Sequence, residues 1–137
     1  MTTTKEPFFL PQVYCASKLH RHAMWRSGIV PDKGLTVVST WHNNPDIEID
    51  ELDQKLCRDG WAQNFIEIRQ ADVVVAYGEF KDRLNGTLIE IGYALARRKP
   101  VYLVGNYDWG TWKYHPFVKQ FPTIHQAFEH IIGAFSK

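Results

Sequence analysis

The sequence predicts an α/β fold: a single domain on a parallel sheet of four to five strands, with helices on both faces. Three observations carry this reading. Short apolar, β-branched runs recur at 35–40 (LTVVST), 72–77 (DVVVAY) and 101–104 (VYLV), as strands covered on both faces require. Stretches with apolar residues at helical spacing alternate with these runs. Pro31, Gly34, Pro100 and Gly105 punctuate the boundaries. Alternation of this kind implies a parallel sheet rather than hairpins.

Residues 1–10 read as a flexible lead, since threonines precede Pro7 and Pro11, and residues 11–137 as the domain. Gln12–Ala16 is the first expected strand, and Ser17 is expected to cap a helix over about 18–29. The second strand, 35–40, leads into a loop at 41–45. A long helix is expected over 48–70, with a break at Gly60 and with Ile49, Leu52, Leu56, Phe65 and Ile68 as its apolar positions. After the third strand comes a loop from Gly78 to Gly86, then a helix opened by Thr87, with Ile89, Ala94 and Leu95 on its buried side. Arg97, Arg98 and Lys99 suit its C-terminus and Pro100 stops it. The fourth strand is Val101–Val104. An aromatic segment at 106–122 then reads as a lid or a subunit interface, with a short fifth strand near 118–121. A last helix covers 124–135, capped by Thr123. The expected strand order is 2-1-3-4, as in flavodoxin-like and Rossmann-like folds, whose ligands sit at the carboxyl ends of the strands.

Composition narrows the function. The 137 residues suit one domain, and five Trp, six Tyr and eight Phe supply a core without staples. A formal net charge of +1 gives no field to hold polymeric nucleic acid or an anionic membrane. No apolar run approaches a membrane span, and the start MTTTKEPFF lacks the layout of a signal peptide. Cys15 and Cys57 have no metal-like spacing and read as reduced thiols of a cytoplasmic protein. The chain has no P-loop, no Gly-x-Gly-x-x-Gly after strand one and no Gly-x-Ser-x-Gly elbow. Among six histidines, His20 and His22 are two apart and point to different helix faces, so no metal is expected; the carboxylate chemistry considered next requires no organic cofactor either.

Carboxylate chemistry remains. Glu90 is expected in the first turn of its helix, beyond the carboxyl end of strand three, where helix N–H groups favour its ionised form. The bland alternative is that it merely complements the helix dipole. Asp72 stands at the amino end of strand three, where terminating the preceding helix is its plain role. Asn64 and Glu67, one helical turn apart, read as a solvated helix face. A carboxylate such as Glu90 can attack an anomeric carbon through an oxocarbenium-like transition state. Tyr14, Trp41 and Tyr93 are available to stack on a base or orient that carboxylate, with core packing as the alternative for each. Two places suit a phosphate. Ser17, Lys18, His20 and Arg21 combine cations with an expected helix start, and Gly78 to Thr87 includes Asn85-Gly86-Thr87, where glycine admits an anion to the backbone.

Together VYCAS, VVSTW, QADVVVAYGE and NGTLIEIGYALARRKPVYLVG resemble the nucleoside 2-deoxyribosyltransferase-like superfamily, including the deoxynucleoside 5′-monophosphate N-glycosidases, from about Val13 to Gly105. The resemblance implies a flavodoxin-like fold and a nucleoside or nucleotide substrate. It also implies a homo-oligomer with sites completed across chains. It assigns Glu90 as the nucleophile, Tyr14 as its neighbour and Asp72 to base recognition or protonation. There are departures. The transferases carry an acid six positions before the glutamate, to hold the sugar 5′-hydroxyl, where this chain has Leu84. Related sequences often carry an aspartate where Asn64 stands, and the asparagine that transferases take from a neighbouring subunit has no counterpart that can be placed. Gly86-Thr87-x-x-Glu90 also resembles cytokinin-activating phosphoribohydrolases, without their Pro-Gly-Gly. The expectation is cleavage of a nucleotide N-glycosidic bond. Base exchange between nucleosides and a non-catalytic nucleotide sensor are the alternatives.

Overall fold

The computed structural model describes residues 10–43 and 53–135. The lead at 1–9 and the expected helix start at 48–52, including Ile49 and Leu52, lie outside the described residues. The sheet has five parallel strands: β1 (Gln12–Ala16), β2 (Thr36–Val37), β3 (Val73–Tyr77), β4 (Val101–Val104) and β5 (Val118–Phe121). Their order is β2-β1-β3-β4-β5, as expected, with the fifth strand at the edge. The four described α-helices are α1 (His22–Arg26), α2 (Gln54–Gln70), α3 (Asn85–Ala96) and α4 (Ile124–Phe135).

The period of two along each strand divides the core between the faces of the sheet. Tyr14, Ala16, Val74, Ala76 and Leu103 face Ile68 of α2 and Ile91 and Ala94 of α3. Val13, Cys15, Val75 and Val104 face Trp25 of α1 and Ala127, Phe128 and Ile131 of α4. Full burial of Phe128 or Ile131 contributes roughly 1.5–3 kcal/mol each by transfer from water. This parity puts Tyr14 on the same side as α2 and α3, so it faces the side chains of both helices.

Several element boundaries differ from the expectation. The helix expected over 18–29 is a 3₁₀ turn, Leu19–Arg21, followed by the short α1. Ser17 does not cap it, because its hydroxyl accepts from Trp25 Nε1 at 2.8 Å and donates to the Lys18 carbonyl. β2 has two residues instead of six, and its chain leaves the sheet after Val38 donates to the Val13 carbonyl at 2.9 Å. α2 runs through Gly60 without a break and is capped by Asp53, whose carboxylate accepts from Leu56 N–H at 2.9 Å. α3 starts at Asn85, two residues before Thr87, and Ile89 is 54% exposed because its buried stripe is Thr87, Glu90, Ile91 and Ala94. Arg98, at φ 59°, closes α3 in the left-handed region, with Arg98 N–H donating to Leu95 and Lys99 N–H to Ala94. Thr123 does cap α4, accepting from Gln126 N–H at 3.1 Å.

Gly105 ends β4 at φ +97°, and a β-carbon there would overlap the Gly78 carbonyl oxygen. The close approach of Gly105 to Gly78 joins the β3 and β4 exits.

Candidate active site

The carboxyl ends of the strands open into a cleft of about 460 Å³ bounded by Lys18, Trp41, Trp61, Asn64, Arg83 and Glu90, among others. Its apolar walls come from α2 and from the turn Trp41–Asn43 after β2. Its rim comes from the loop into α3 and the residues after β1.

Glu90 lies at the floor of the cleft, 6% exposed, and its Oε2 accepts the phenolic proton of the fully buried Tyr14. Glu90 is the sixth residue of α3, in its second turn and not its first. The expected bias toward the ionised form is not met, and the cause is desolvation. Burial is the largest influence and pushes the carboxyl up to about 7, with the Glu67 charge adding to it. The Tyr14 hydrogen bond pulls the other way without winning. Tyr14 in turn is raised well above its ordinary value, by burial first and then by Glu90, so it stays protonated and donating.

Glu67 is not on a solvated face. It is 2% exposed, and its carboxylate accepts from Thr40 N–H (2.9 Å), Thr40 Oγ1 (2.6 Å) and Gln63 Nε2 (2.8 Å). Asn64, one turn away, is half-buried and lines the cleft. The sequence holds a signal for this stripe, since Cys57, Gly60, Trp61, Asn64 and Glu67 share one face of α2 at helical spacing.

Of the residues singled out in the sequence, Ser17, Lys18, Trp41, Asn85, Gly86, Thr87 and Glu90 line the cleft, with Tyr14 directly behind Glu90. Trp41 is held by Nε1 donating to the Cys15 carbonyl at 2.7 Å. Asp72 is not brought to them. It precedes β3 at the amino end of the sheet, where its carboxylate accepts from Gln12 N–H at 2.8 Å and its own N–H donates back to the Gln12 carbonyl at 2.7 Å. His20 is exposed, and Arg21 turns away into ion pairs with Glu79 (3.0 Å) and Asp82 (2.9 Å) over the Tyr77 ring. Gly78 packs beneath Leu84 and Tyr107, and Tyr93 stacks on Phe65 at 4.5 Å; neither lines the cleft. The aromatic segment is not a lid. None of residues 106–122 lines the cleft, and Trp109, 5% exposed, packs between Tyr107 and Trp112. Sequence reasoning missed Trp61 and Arg83 as lining residues. Arg83 carried a signal, as a cation directly before the head of α3.

Among the described residues, no three His, Cys, Asp or Glu side chains gather as a metal site, neither cysteine is in a disulfide, and no helix is long and apolar enough to cross a membrane.

A parallel sheet with a buried carboxylate at the floor of a carboxyl-end cleft defines an α/β enzyme acting on a small molecule. The model of the nucleoside 2-deoxyribosyltransferase family matches residues 14–119, a span that begins at Tyr14 and includes Glu90. The chain belongs to that family, whose members are enzymes of nucleosides and nucleotides. Comparison with curated proteins found no match. Among solved structures, the 2-deoxyribosyltransferase of Bacillus psychrosaccharolyticus is 19% identical, with a TM-score of 0.64 over 85% of this chain and 90% of that one. The Clostridium botulinum CMP N-glycosidase BcmB is 20% identical, with a TM-score of 0.52 over 88% of this chain and 97% of that one. At those identities the likeness concerns the fold.

Proposed function

We propose that this protein cleaves the N-glycosidic bond of a (deoxy)nucleoside 5′-monophosphate, with Glu90 as the nucleophile. The observation that carries the reading is the Tyr14–Glu90 pair at the floor of a cleft whose lining includes Lys18, Arg83 and the first turn of α3. A Glu90 oxygen bonds to C1′ as the C1′–N bond breaks, and the base leaves with the electron pair and takes up a proton from solvent. Water then attacks C1′, giving up its proton, which frees the sugar 5-phosphate and restores Glu90. Tyr14 holds the attacking carboxylate in place. No step requires Asp72.

The head of α3 supports a phosphate over a hydroxyl. Leu84, where the transferases carry an acid, is 1% exposed, and the flanking Arg83, Asn85 and Gly86 offer a cation and unpaired helix N–H groups. The same reading keeps a homo-oligomer, with the exposed Tyr114 and Phe117 as apolar surface for it.

Kinetics of Lys18→Ala and Arg83→Ala test the phosphate assignment. Loss of one charge-assisted contact is expected to raise KM for monophosphates about tenfold or more, and to leave KM for the matching nucleosides unchanged. An equal change for both substrates would remove phosphate recognition from this rim.

A further inference from the structure

Glu67 is a buried carboxylate that makes no bond in the steps above. Among the described residues its three hydrogen bonds, two from Thr40 and one from Gln63, are all donated to it, as suits an acceptor-only carboxylate, and neither donor residue is a cation. Its two bonds to Thr40 act on a weak point of the fold. β2 is two residues long, and beyond Val38 the chain has left the sheet before it reaches Trp41, a wall of the cleft. Glu67 also lies within electrostatic reach of both Glu90 and Tyr14.

We propose that Glu67 is a positioning residue: it ties the Thr40–Trp41 wall to α2 and sets a second buried negative charge against the Glu90 carboxylate. The inference rests on Glu90 being the nucleophile. Positive charge develops at the sugar as the base departs, and the buried charge of Glu67, felt at Glu90, adds to the negative field of the carboxylate that meets it. The same charge reinforces burial in raising the proton affinity of Glu90. The other groups around Glu90 are Tyr14 from β1, Cys57 from α2, and Lys18 and Arg83 at the rim.

The test is a ¹³C NMR titration of the Glu90 side-chain carboxyl in the full chain, with its signal assigned by Glu90→Gln. In Glu67→Gln the midpoint is expected to fall by at least about half a pH unit from its wild-type value, and the acid limb of kcat/KM to fall with it. An unchanged midpoint in folded Glu67→Gln overturns the electrostatic half. Thr40→Val keeps the charge, so its midpoint is expected to stay, while amide exchange at Trp41 and His42 speeds up. Unchanged exchange overturns the positioning half, and a variant that folds poorly at Glu67 leaves this arm intact. The NMR titration and the amide exchange require no turnover, so failure of the glycosidase reading is seen separately, as absence of product.

Discussion

Glu90→Gln is expected to lower turnover at least about 10⁴-fold while nucleotide binding stays within a few-fold of wild type. Glutamine is nearly isosteric, and its amide oxygen can still accept the Tyr14 hydroxyl, so the cleft keeps its shape. What it lacks is a lone pair basic enough to form and hold a bond to C1′. Lys18, Arg83 and the head of α3 are untouched by the change, so the proposed phosphate contacts are expected to remain. Steady-state kinetics paired with calorimetric binding of a monophosphate separates the two effects. A variant that retains turnover would remove Glu90 from the covalent step. A variant that loses binding in proportion would make Glu90 a recognition group.

The same substitution is expected to stabilise the fold at pH 8 and to leave it unchanged near pH 4. Burial raises the folded-state pKa of Glu90 from 4.5 to about 7. The folded protein therefore holds this proton more tightly than the unfolded chain does. The stability linked to it is fully present below about pH 4.5 and is lost as pH rises through about 7. Above that range the wild type carries a buried charge costing about 3 kcal/mol, at about 1.4 kcal/mol for each pH unit between the two values. Glutamine is neutral throughout and escapes the cost. Thermal unfolding of both proteins at pH 5 and pH 8 reads this directly, with a difference of roughly 10 °C in favour of Glu90→Gln at pH 8 that shrinks toward pH 5. Parallel curves, or a less stable variant at pH 8, would contradict a raised Glu90.

Much of the fold was legible because local signals and long-range packing agree. β1 and β4 fall where apolar runs meet Gly or Pro, and the strand order follows from strand–helix alternation. The differences arise where tertiary contacts override local pattern. The run at 35–40 reads as six strand residues, yet only two pair with β1, because Ser39 and Thr40 turn to bond Cys15 and Glu67. Arg21 looks like a phosphate ligand until the fold brings up Asp82, 61 residues away in sequence. Glu67 looks solvated because the face it shares with Cys57, Trp61 and Asn64 marks a stripe but not which way it turns, and burial follows only once its Thr40 donors are placed. For Glu90 the position was readable from the strand–loop–helix order. The direction of its pKa was not, since it turns on desolvation and on a second carboxylate, and neither is a local property. Asp72 was readable too: a residue before a strand whose far end leads to Glu90 lies at the opposite, amino end of the strands.

The most direct test of the central claim is chromatographic product analysis after incubating the protein with ribo- and deoxynucleosides and their 5′-monophosphates, each with and without a second free base. Free base and sugar 5-phosphate are expected from monophosphates, with no dependence on the second base and no product from Glu90→Gln. A new nucleoside formed only when the second base is present would contradict it in favour of base exchange. Clear binding of monophosphates with no product at all would contradict it in favour of a nucleotide sensor on the same fold.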